Sequence, residues 1–410
     1  MGLDEVPVVL ILVGLAAYAV LGGADFGAGL WQLTGGRTER GRSLREHADH
    51  AMGPVWEANH VWLIFVLVVC WTAYPHAFGS ITSTLSIPLF VAGLGIILRG
   101  TAYALRPGTA TVRERRAVET VLALSSILTP FALGAVVGGI ASERVPVGNA
   151  EGDLVTSWLN ETSILIGTIA VAAAAYLAAV YLAADAARLG RRDVEQAFRV
   201  RALATGVVAG AIALAGLPVV RDDARPIWDG LTSGAGLASV LVSIAGGAAT
   251  LALVWLRRYE PARATAAVAV AAIVAGWGFA QRPTFLPGLT IEEAAAGHST
   301  LVSLVVSIAL GAALLIPSLA LLFGLKLRGL FDAEPVEPVV AESDGTASTT
   351  ELPLRPLSLA AGCFAVGAGL LFFLESTWAH LTGGVLLLAF VGSGFVAVAS
   401  WAAAPGFGDD

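Results

Sequence analysis

The chain alternates between long apolar segments and short polar ones. A helix that crosses a bilayer needs about 20 consecutive, mostly apolar residues. Eleven segments reach that length, near residues 6–33, 54–74, 79–105, 117–141, 162–186, 199–220, 236–256, 262–281, 300–323, 356–375 and 380–401. Because lipid offers no hydrogen-bonding partner to an open backbone, the pattern predicts an all-α, polytopic integral membrane protein.

Composition narrows the class further. Of the 410 residues, 56% are hydrophobic and 13% are charged, against about 25% charged residues in soluble domains. This excludes a soluble enzyme, a disordered chain and a fibrous protein. The net charge of −7 provides no basic surface for nucleic acid, so no nucleic-acid partner is expected.

Basic residues indicate how the spans are oriented. The loops after odd-numbered spans carry Arg37, Arg40, Arg42, Arg45, Arg106, Arg113, Arg115, Arg116, Arg188, Arg191, Arg192, Arg257, Arg258, Arg263, Lys326 and Arg328. The loops after even-numbered spans carry only Arg144, Arg221, Arg225 and Arg282. Since cytoplasmic loops are enriched in Lys and Arg, we expect the N-terminus outside and the C-terminus inside.

One polar stretch divides the chain. Residues 331–354 are acidic and rich in Pro, Ser and Thr, a composition typical of flexible segments. We therefore expect three parts: a membrane domain of nine helices over 1–325, a flexible acidic cytoplasmic linker over 326–354, and an extra two-helix membrane hairpin with a C-terminal tail over 355–410.

Asp25 is the first candidate for chemistry, because charges inside spans are costly and often functional. It lies in the segment GGADFGAG, where Gly22, Asp25 and Gly29 share one helix face. Small residues on that face allow another helix to approach closely. Two interpretations stay open: a hydrogen bond to a neighbouring helix, or a role in proton or ion movement.

Glu57 and His60 form the second candidate, in the segment GPVWEANHVW. They lie one helical turn apart, and an acid beside an imidazole can pass protons. The alternative is a polar cluster at a helix mouth. Glu-x-x-His also occurs in di-iron bundles, but no second such pair is present. His60 is also the one histidine placed to be considered as a haem ligand, because His47, His50, His76, His298 and His380 lie in loops or near span ends.

Arg99 is the third candidate. At 1.5 Å per residue, Asp25 lies about 12 Å, Arg99 about 9 Å and Glu57 about 5 Å from the cytoplasmic end of its predicted helix. All three therefore lie in the cytoplasmic half of the membrane. Buried alone, each charge would be strongly unfavourable, and contact among them would offset that cost.

At these motifs the sequence resembles subunit II of the cytochrome bd-type quinol oxidases. The resemblance rests on three segments, 23–29, 53–62 and 277–296, and on Arg99, which falls at the family's basic position in helix three. The third segment also contains a predicted capping box between Thr290 and Glu293. The resemblance covers residues 1–325. The chain departs from the family at Gly22 and Ala104, where the family often has Asp.

The resemblance implies a partner and a reaction. Subunit II pairs with a haem-bearing subunit I, which holds haem b, haem d and the quinol-oxidation site. The complex oxidises quinol, reduces oxygen to water with four electrons and takes protons from the cytoplasm. Small accessory single-helix subunits, membrane lipid and quinone are further partners. The expected location is the cytoplasmic (inner) membrane of a bacterium or archaeon.

For this chain the resemblance implies no catalytic, cofactor-binding or metal-binding residue. Asp25, Glu57, His60 and Arg99 are instead expected to form a proton pathway, and the chain alone is not expected to be catalytic. Two rival hypotheses remain. The same buried carboxylates could drive a proton-coupled secondary transporter, or the chain could be a purely structural scaffold subunit.

Overall fold

The computed structural model describes residues 2–33, 39–52, 56–105, 112–327 and 354–373, with several positions between 376 and 393. The described residues are almost entirely helical. The helices are α1 (Val6–Leu33), α2 (Glu39–Met52), α3 (Trp56–Ala73), α4 (Pro75–Thr84), α5 (Ser86–Leu105), α6 (Val112–Ala141), α7 (Glu161–Arg188), α8 (Arg192–Ala215), α9 (Leu217–Asp223), α10 (Arg225–Leu231), α11 (Gly234–Trp255), α12 (Tyr259–Gln281), α13 (Ile291–Ala294), α14 (His298–Leu327) and α15 (Leu354–Phe373). A two-stranded hairpin, β1 (Thr284–Leu286) and β2 (Leu289–Thr290), precedes α13.

The predicted all-α membrane class is confirmed. Among the described residues, seven helices are long and apolar enough to cross a membrane: Val6–Leu33, Ser86–Ala104, Val118–Ala141, Glu161–Arg188, Arg192–Asp223, Gly234–Trp255 and Tyr259–Gln281. Shorter apolar helices cover Asn59–Ala73, His298–Ala313 and Ser358–Gly367. Most of the last predicted span, 380–401, and the predicted linker lie outside the described residues, so the number of spans stays a prediction.

The chain forms two compact units, residues 1–322 and 323–410. In the first unit, α1 packs against α3, α6, α7 and α12, while α7 also packs against α8. Helices α5 and α6 form one close pair, and α11 and α12 form another. In the second unit, Gly367 of α15 lies against Gly383 and Leu386.

Two predicted spans contain helix breaks that the hydrophobic pattern did not indicate. The segment predicted over 79–105 is divided between α4 and α5 at Leu85. Pro88 has no N–H to donate to the carbonyl of Thr84, so the helix cannot run on regularly there. The segment predicted over 199–220 is divided after α8 in the same way, because Pro218 lacks the N–H that would reach Leu214.

The basic segment after α1 forms an amphipathic helix, α2, where the sequence indicated only a loop. Its buried face consists of Leu44, His47 and Ala48. The Nε2 of His47 donates a hydrogen bond to the carbonyl of Leu182, 3.0 Å away, and the imidazole lies against the ring of Phe198. These contacts place α2 on α7 and α8.

Close packing of α1 on α7 depends on Gly27. A Cβ there would overlap the carbonyl oxygen of Ala174 and lie 2.7 Å from the Cβ of Ala178. At Gly23, one turn earlier on α1, a Cβ would meet Leu177 at an ordinary 3.5 Å. Of these two glycines, only Gly27 is therefore required for the close contact of α1 with α7.

We expect Gly27→Ala to lower stability by about 1–3 kcal/mol, the usual cost of overpacking a tight contact. Gly23→Ala is the matched control and should change stability little. The measurement is the melting temperature of the purified protein carrying each variant. Equal effects of the two substitutions would contradict this account of the α1–α7 contact.

The loop from 282 to 297 is ordered by its own hydrogen bonds. Gly288 has φ 75° between the two strands. The predicted capping box is confirmed, because Thr290 Oγ1 accepts from the Glu293 amide while the Glu293 carboxylate accepts from the Thr290 amide at 2.9 Å. The amide of Ala296 donates to the carbonyl of Ala73 at 2.7 Å, and this bond attaches the loop to the end of α3.

Acid should loosen this capping box. The Thr290 backbone and hydroxyl hydrogen bonds lower the pKa of the Glu293 carboxyl. Their stabilisation is therefore present above the ordinary carboxyl pKa and is lost as pH falls through the lowered value. Hydrogen-exchange protection of the Thr290 amide should fall in that acid range. Glu293→Gln keeps an accepting oxygen without a titrating group, so protection there should not depend on pH, and an equal acid-dependent loss would contradict the assignment.

Candidate functional site

Asp25 of α1 and Arg99 of α5 meet in the interior of the first unit, and both side chains have 0% exposure. Arg99 donates from Nε to Oδ2 at 3.0 Å and from Nη2 to Oδ1 at 2.7 Å. The same Nη2 also donates to the Asp25 backbone carbonyl at 2.7 Å. This is a two-pronged ion pair, the strongest geometry available to a guanidinium and a carboxylate.

Neighbouring side chains complete the hydrogen bonding of the guanidinium. Arg99 Nη1 donates to Ser126 Oγ at 2.7 Å, and that hydroxyl donates to the carbonyl of Leu122 at 2.6 Å. Tyr103 Oη lies 3.2 Å from Nη2 and 3.4 Å from the Asp25 Oδ1. The ring of Phe26 lies 5.0 Å from the guanidinium carbon. Each guanidinium nitrogen therefore has an acceptor, as a buried charge requires.

Gly29 allows α6 to deliver its serine to this pair. A Cβ at Gly29 would overlap Ser126 Oγ and lie 2.9 Å from Arg99 Nη1. Gly29 shares the helix face of Asp25, one turn closer to the end of α1. Because Gly29 has no side chain, this face of α1 leaves room for Arg99 to reach the Asp25 carboxylate and for Ser126 to reach Arg99.

His60 of α3 lies next to the ion pair. Its Nδ1 is 3.3 Å from the hydroxyl of Tyr18, and its ring centroid is 5.9 Å from those of Tyr18 and Phe26. Asn59, the preceding residue, donates from Nδ2 to the carbonyl of Leu21 at 3.3 Å. These contacts hold the start of α3 against the middle of α1.

Of the four residues singled out from the sequence, the structure brings Asp25 and Arg99 into direct contact. It places His60 against Phe26, whose ring contacts the Arg99 guanidinium. The side chain of Glu57 lies outside the described residues. Sequence reasoning missed Tyr18, Tyr103 and Ser126. Tyr18 is two turns from Asp25 on its face of α1, and Tyr103 is one turn from Arg99, so helical spacing could have indicated both. Ser126 depends on how α6 packs and carries no such signal.

Other charged contacts lie at helix ends. Arg144 forms a two-pronged pair with Asp223, at 2.6 and 3.1 Å. Glu195 accepts from Arg257 at 2.7 Å and from the hydroxyl of Tyr259 at 2.6 Å. The first network links the loop after α6 to the end of α9, and the second links the start of α8 to the start of α12. Across the part of the chain that the structure describes, no three His, Cys, Asp or Glu side chains converge as a metal site would require.

Breaking the buried ion pair should be costly. Asp25→Asn and Arg99→Gln each leave one buried charge without its partner, and we expect each to destabilise the protein by about 3–5 kcal/mol. Removing both charges, as Asp25→Leu with Arg99→Met, should cost clearly less than the sum of the single changes.

The readouts are the melting temperature and the yield of folded protein in the membrane. Asp229→Asn is the control, since it breaks the pair of Arg225 and Asp229, whose side chains are both 60% exposed, and exposed pairs contribute little. If Asp25→Asn and Arg99→Gln were as stable as Asp229→Asn, the buried ion pair would not have the structural importance assigned to it.

The fold and the buried pair define a multi-pass helical membrane protein with a polar site enclosed in its apolar interior. The comparisons identify the family. The model of the cytochrome bd terminal oxidase subunit II family matches residues 3–325, and the chain belongs to this family.

Named relatives agree with that assignment. The chain is 25% identical over 222 residues to "Putative cytochrome bd menaquinol oxidase subunit II" of Bacillus subtilis (strain 168), covering 52% of this chain and 61% of that protein. It is 28% identical over 126 residues to "Cytochrome bd ubiquinol oxidase subunit 2" of the same organism, covering 31% of this chain and 36% of that protein. The chain thus matches less than two thirds of the length of either relative.

A solved structure has the same fold. The structure of bd oxidase from Geobacillus thermodenitrificans aligns with a TM-score of 0.61 at 23% sequence identity. The alignment covers 80% of this chain and 99% of that chain. At this identity the likeness concerns the arrangement of the helices.

Proposed function

We propose that this chain is subunit II of a bd-type terminal quinol oxidase in the cytoplasmic membrane of a bacterium or archaeon. It pairs with a haem-bearing subunit I, which holds haem b, haem d and the quinol-oxidation site. The complex oxidises quinol and reduces oxygen to water with four electrons. The observation that carries the proposal is the ion pair of Asp25 and Arg99, formed by two residues of the family-like motifs inside the matched region.

The part that we assign to this chain is the uptake of cytoplasmic protons. Asp25, Glu57, His60 and Arg99 belong to the pathway. His60 and Glu57 exchange protons, because an imidazole and a carboxyl one turn apart suit that task. The Asp25 carboxylate, which accepts two hydrogen bonds from Arg99, forms with it a fixed ion pair.

The proposal includes the orientation of the chain in the membrane and the roles of the residues after 325. The N-terminus is outside and the C-terminus inside, so that α1 and α3 bring the site into the cytoplasmic half of the membrane. Residues 326–354 form a cytoplasmic linker, and residues 355–410 add a two-helix hairpin and a tail to the membrane domain of residues 1–325. Small accessory subunits, lipid and quinone complete the assembly.

The proposal is tested in the purified complex. We expect b- and d-type haem bands with subunit I present and none on this chain alone. Glu57→Gln should assemble with its haems but lower oxygen consumption per haem d by about 100-fold, the lower end of the effect of losing a positioned proton-transfer group. Glu57→Asp should retain more activity, because it still titrates.

Glu260→Gln is the matched control, since the Glu260 side chain is 73% exposed at the start of α12. It should turn over like the wild type. A complex without haem would favour the transporter hypothesis over the oxidase. Wild-type turnover in assembled Glu57→Gln would remove the proton role and leave a structural subunit.

A further inference from the structure

Tyr18 is a buried polar side chain that the pathway above does not use. It is 7% exposed and lies on α1, two turns from Asp25 on the same face. Its hydroxyl is 3.3 Å from Nδ1 of His60. A buried phenol needs a polar partner, and here that partner is an imidazole assigned to proton exchange.

Gly22 makes this contact possible. A Cβ at residue 22 would lie 3.0 Å from Tyr18 Cε2 and 3.1 Å from Cδ2. The ring of Tyr18 therefore lies over the glycine, and a Cβ there would require the ring to shift by a few tenths of an ångström. Because residue 22 has no side chain, the Tyr18 ring can occupy the position in which its hydroxyl contacts His60.

The pair is continuous with the ion-pair site. Phe26 lies in edge-on contact with Tyr18, with ring centroids 6.4 Å apart, and it also contacts His60 and the Arg99 guanidinium. The imidazole thus lies against the Tyr18 hydroxyl and the Phe26 ring, and that ring contacts the guanidinium of the ion pair.

We propose that Tyr18 is a positioning residue of the proton pathway, fixing the orientation and tautomer of His60. In this arrangement Nδ1–H of His60 donates to the Tyr18 oxygen, and Nε2 accepts the incoming proton. Nε2 exchanges that proton with the Glu57 carboxyl, while Nδ1–H stays hydrogen-bonded to the Tyr18 oxygen, so neither the phenol nor the tautomer of the imidazole changes. The inference rests on the proposed role of His60.

In metal sites, the hydrogen-bond partner that orients a histidine ligand commonly contributes 10- to 100-fold to metal affinity or activity, and we take that range as a guide for the contact of Tyr18 with His60. Tyr18→Phe keeps the ring and removes only the hydroxyl, and we expect about 10-fold slower oxygen consumption per haem d, the lower end of that range. The KM for a short-chain quinol should not change, because quinol is oxidised on the partner subunit. Gly22→Ala is a second variant that keeps the hydroxyl but shifts the ring by a few tenths of an ångström, and it should slow turnover by less than Tyr18→Phe does. Tyr176→Phe, which removes another buried hydroxyl from α7, is the control and should leave turnover unchanged.

A double-mutant cycle in the assembled complex separates this inference from the proposed function. If Tyr18 acts through His60, Tyr18→Phe should have no further effect in a His60→Gln background. Wild-type turnover in His60→Gln would remove the proposed function of His60. Two results would overturn the role of Tyr18 but leave that of His60. One is slow turnover in His60→Gln together with wild-type turnover in Tyr18→Phe. The other is a double variant whose loss of turnover equals the two single losses combined.

Discussion

Two opposite charges inside an apolar bundle constrain the rest of this molecule. Removing a carboxylate and a guanidinium from water costs several kcal/mol for each ion, and mutual attraction repays this only with near-ideal geometry. Asp25 and Arg99 reach that geometry through three hydrogen bonds between them. Ser126 satisfies the remaining terminal nitrogen. Three helices, α1, α5 and α6, must therefore keep their relative positions.

The small residues of α1 follow from this constraint. Gly29 leaves room for Ser126 and Arg99, and Gly27 brings α7 close to the opposite side of the helix. Gly22 leaves room for the Tyr18 ring. In a bilayer, where apolar surfaces gain little from contact with one another, close approach and interhelical hydrogen bonds hold helices together. The glycine-rich motif thus serves packing and chemistry together.

The sequence predicted the membrane class, most helix positions and the residues of the ion pair, because burial of charge is rare enough in apolar spans to be recognised. It did not predict the breaks at Leu85 and Gly216, since hydrophobicity does not register the missing N–H of Pro88 or Pro218. It assigned α2 to a loop because that helix is polar on most of its surface. The contribution of Ser126 depends on how α6 meets α5, a tertiary contact that spacing along one helix cannot indicate.

The central claim is that Asp25 and Arg99 form a fixed ion pair. Infrared difference spectroscopy of the assembled oxidase, comparing oxidised and reduced states, tests it most directly. The account predicts that no protonated carboxylic acid band is assigned to Asp25 in either state. A carbonyl band of a protonated acid that changes between the states and disappears in Asp25→Asn would contradict the account.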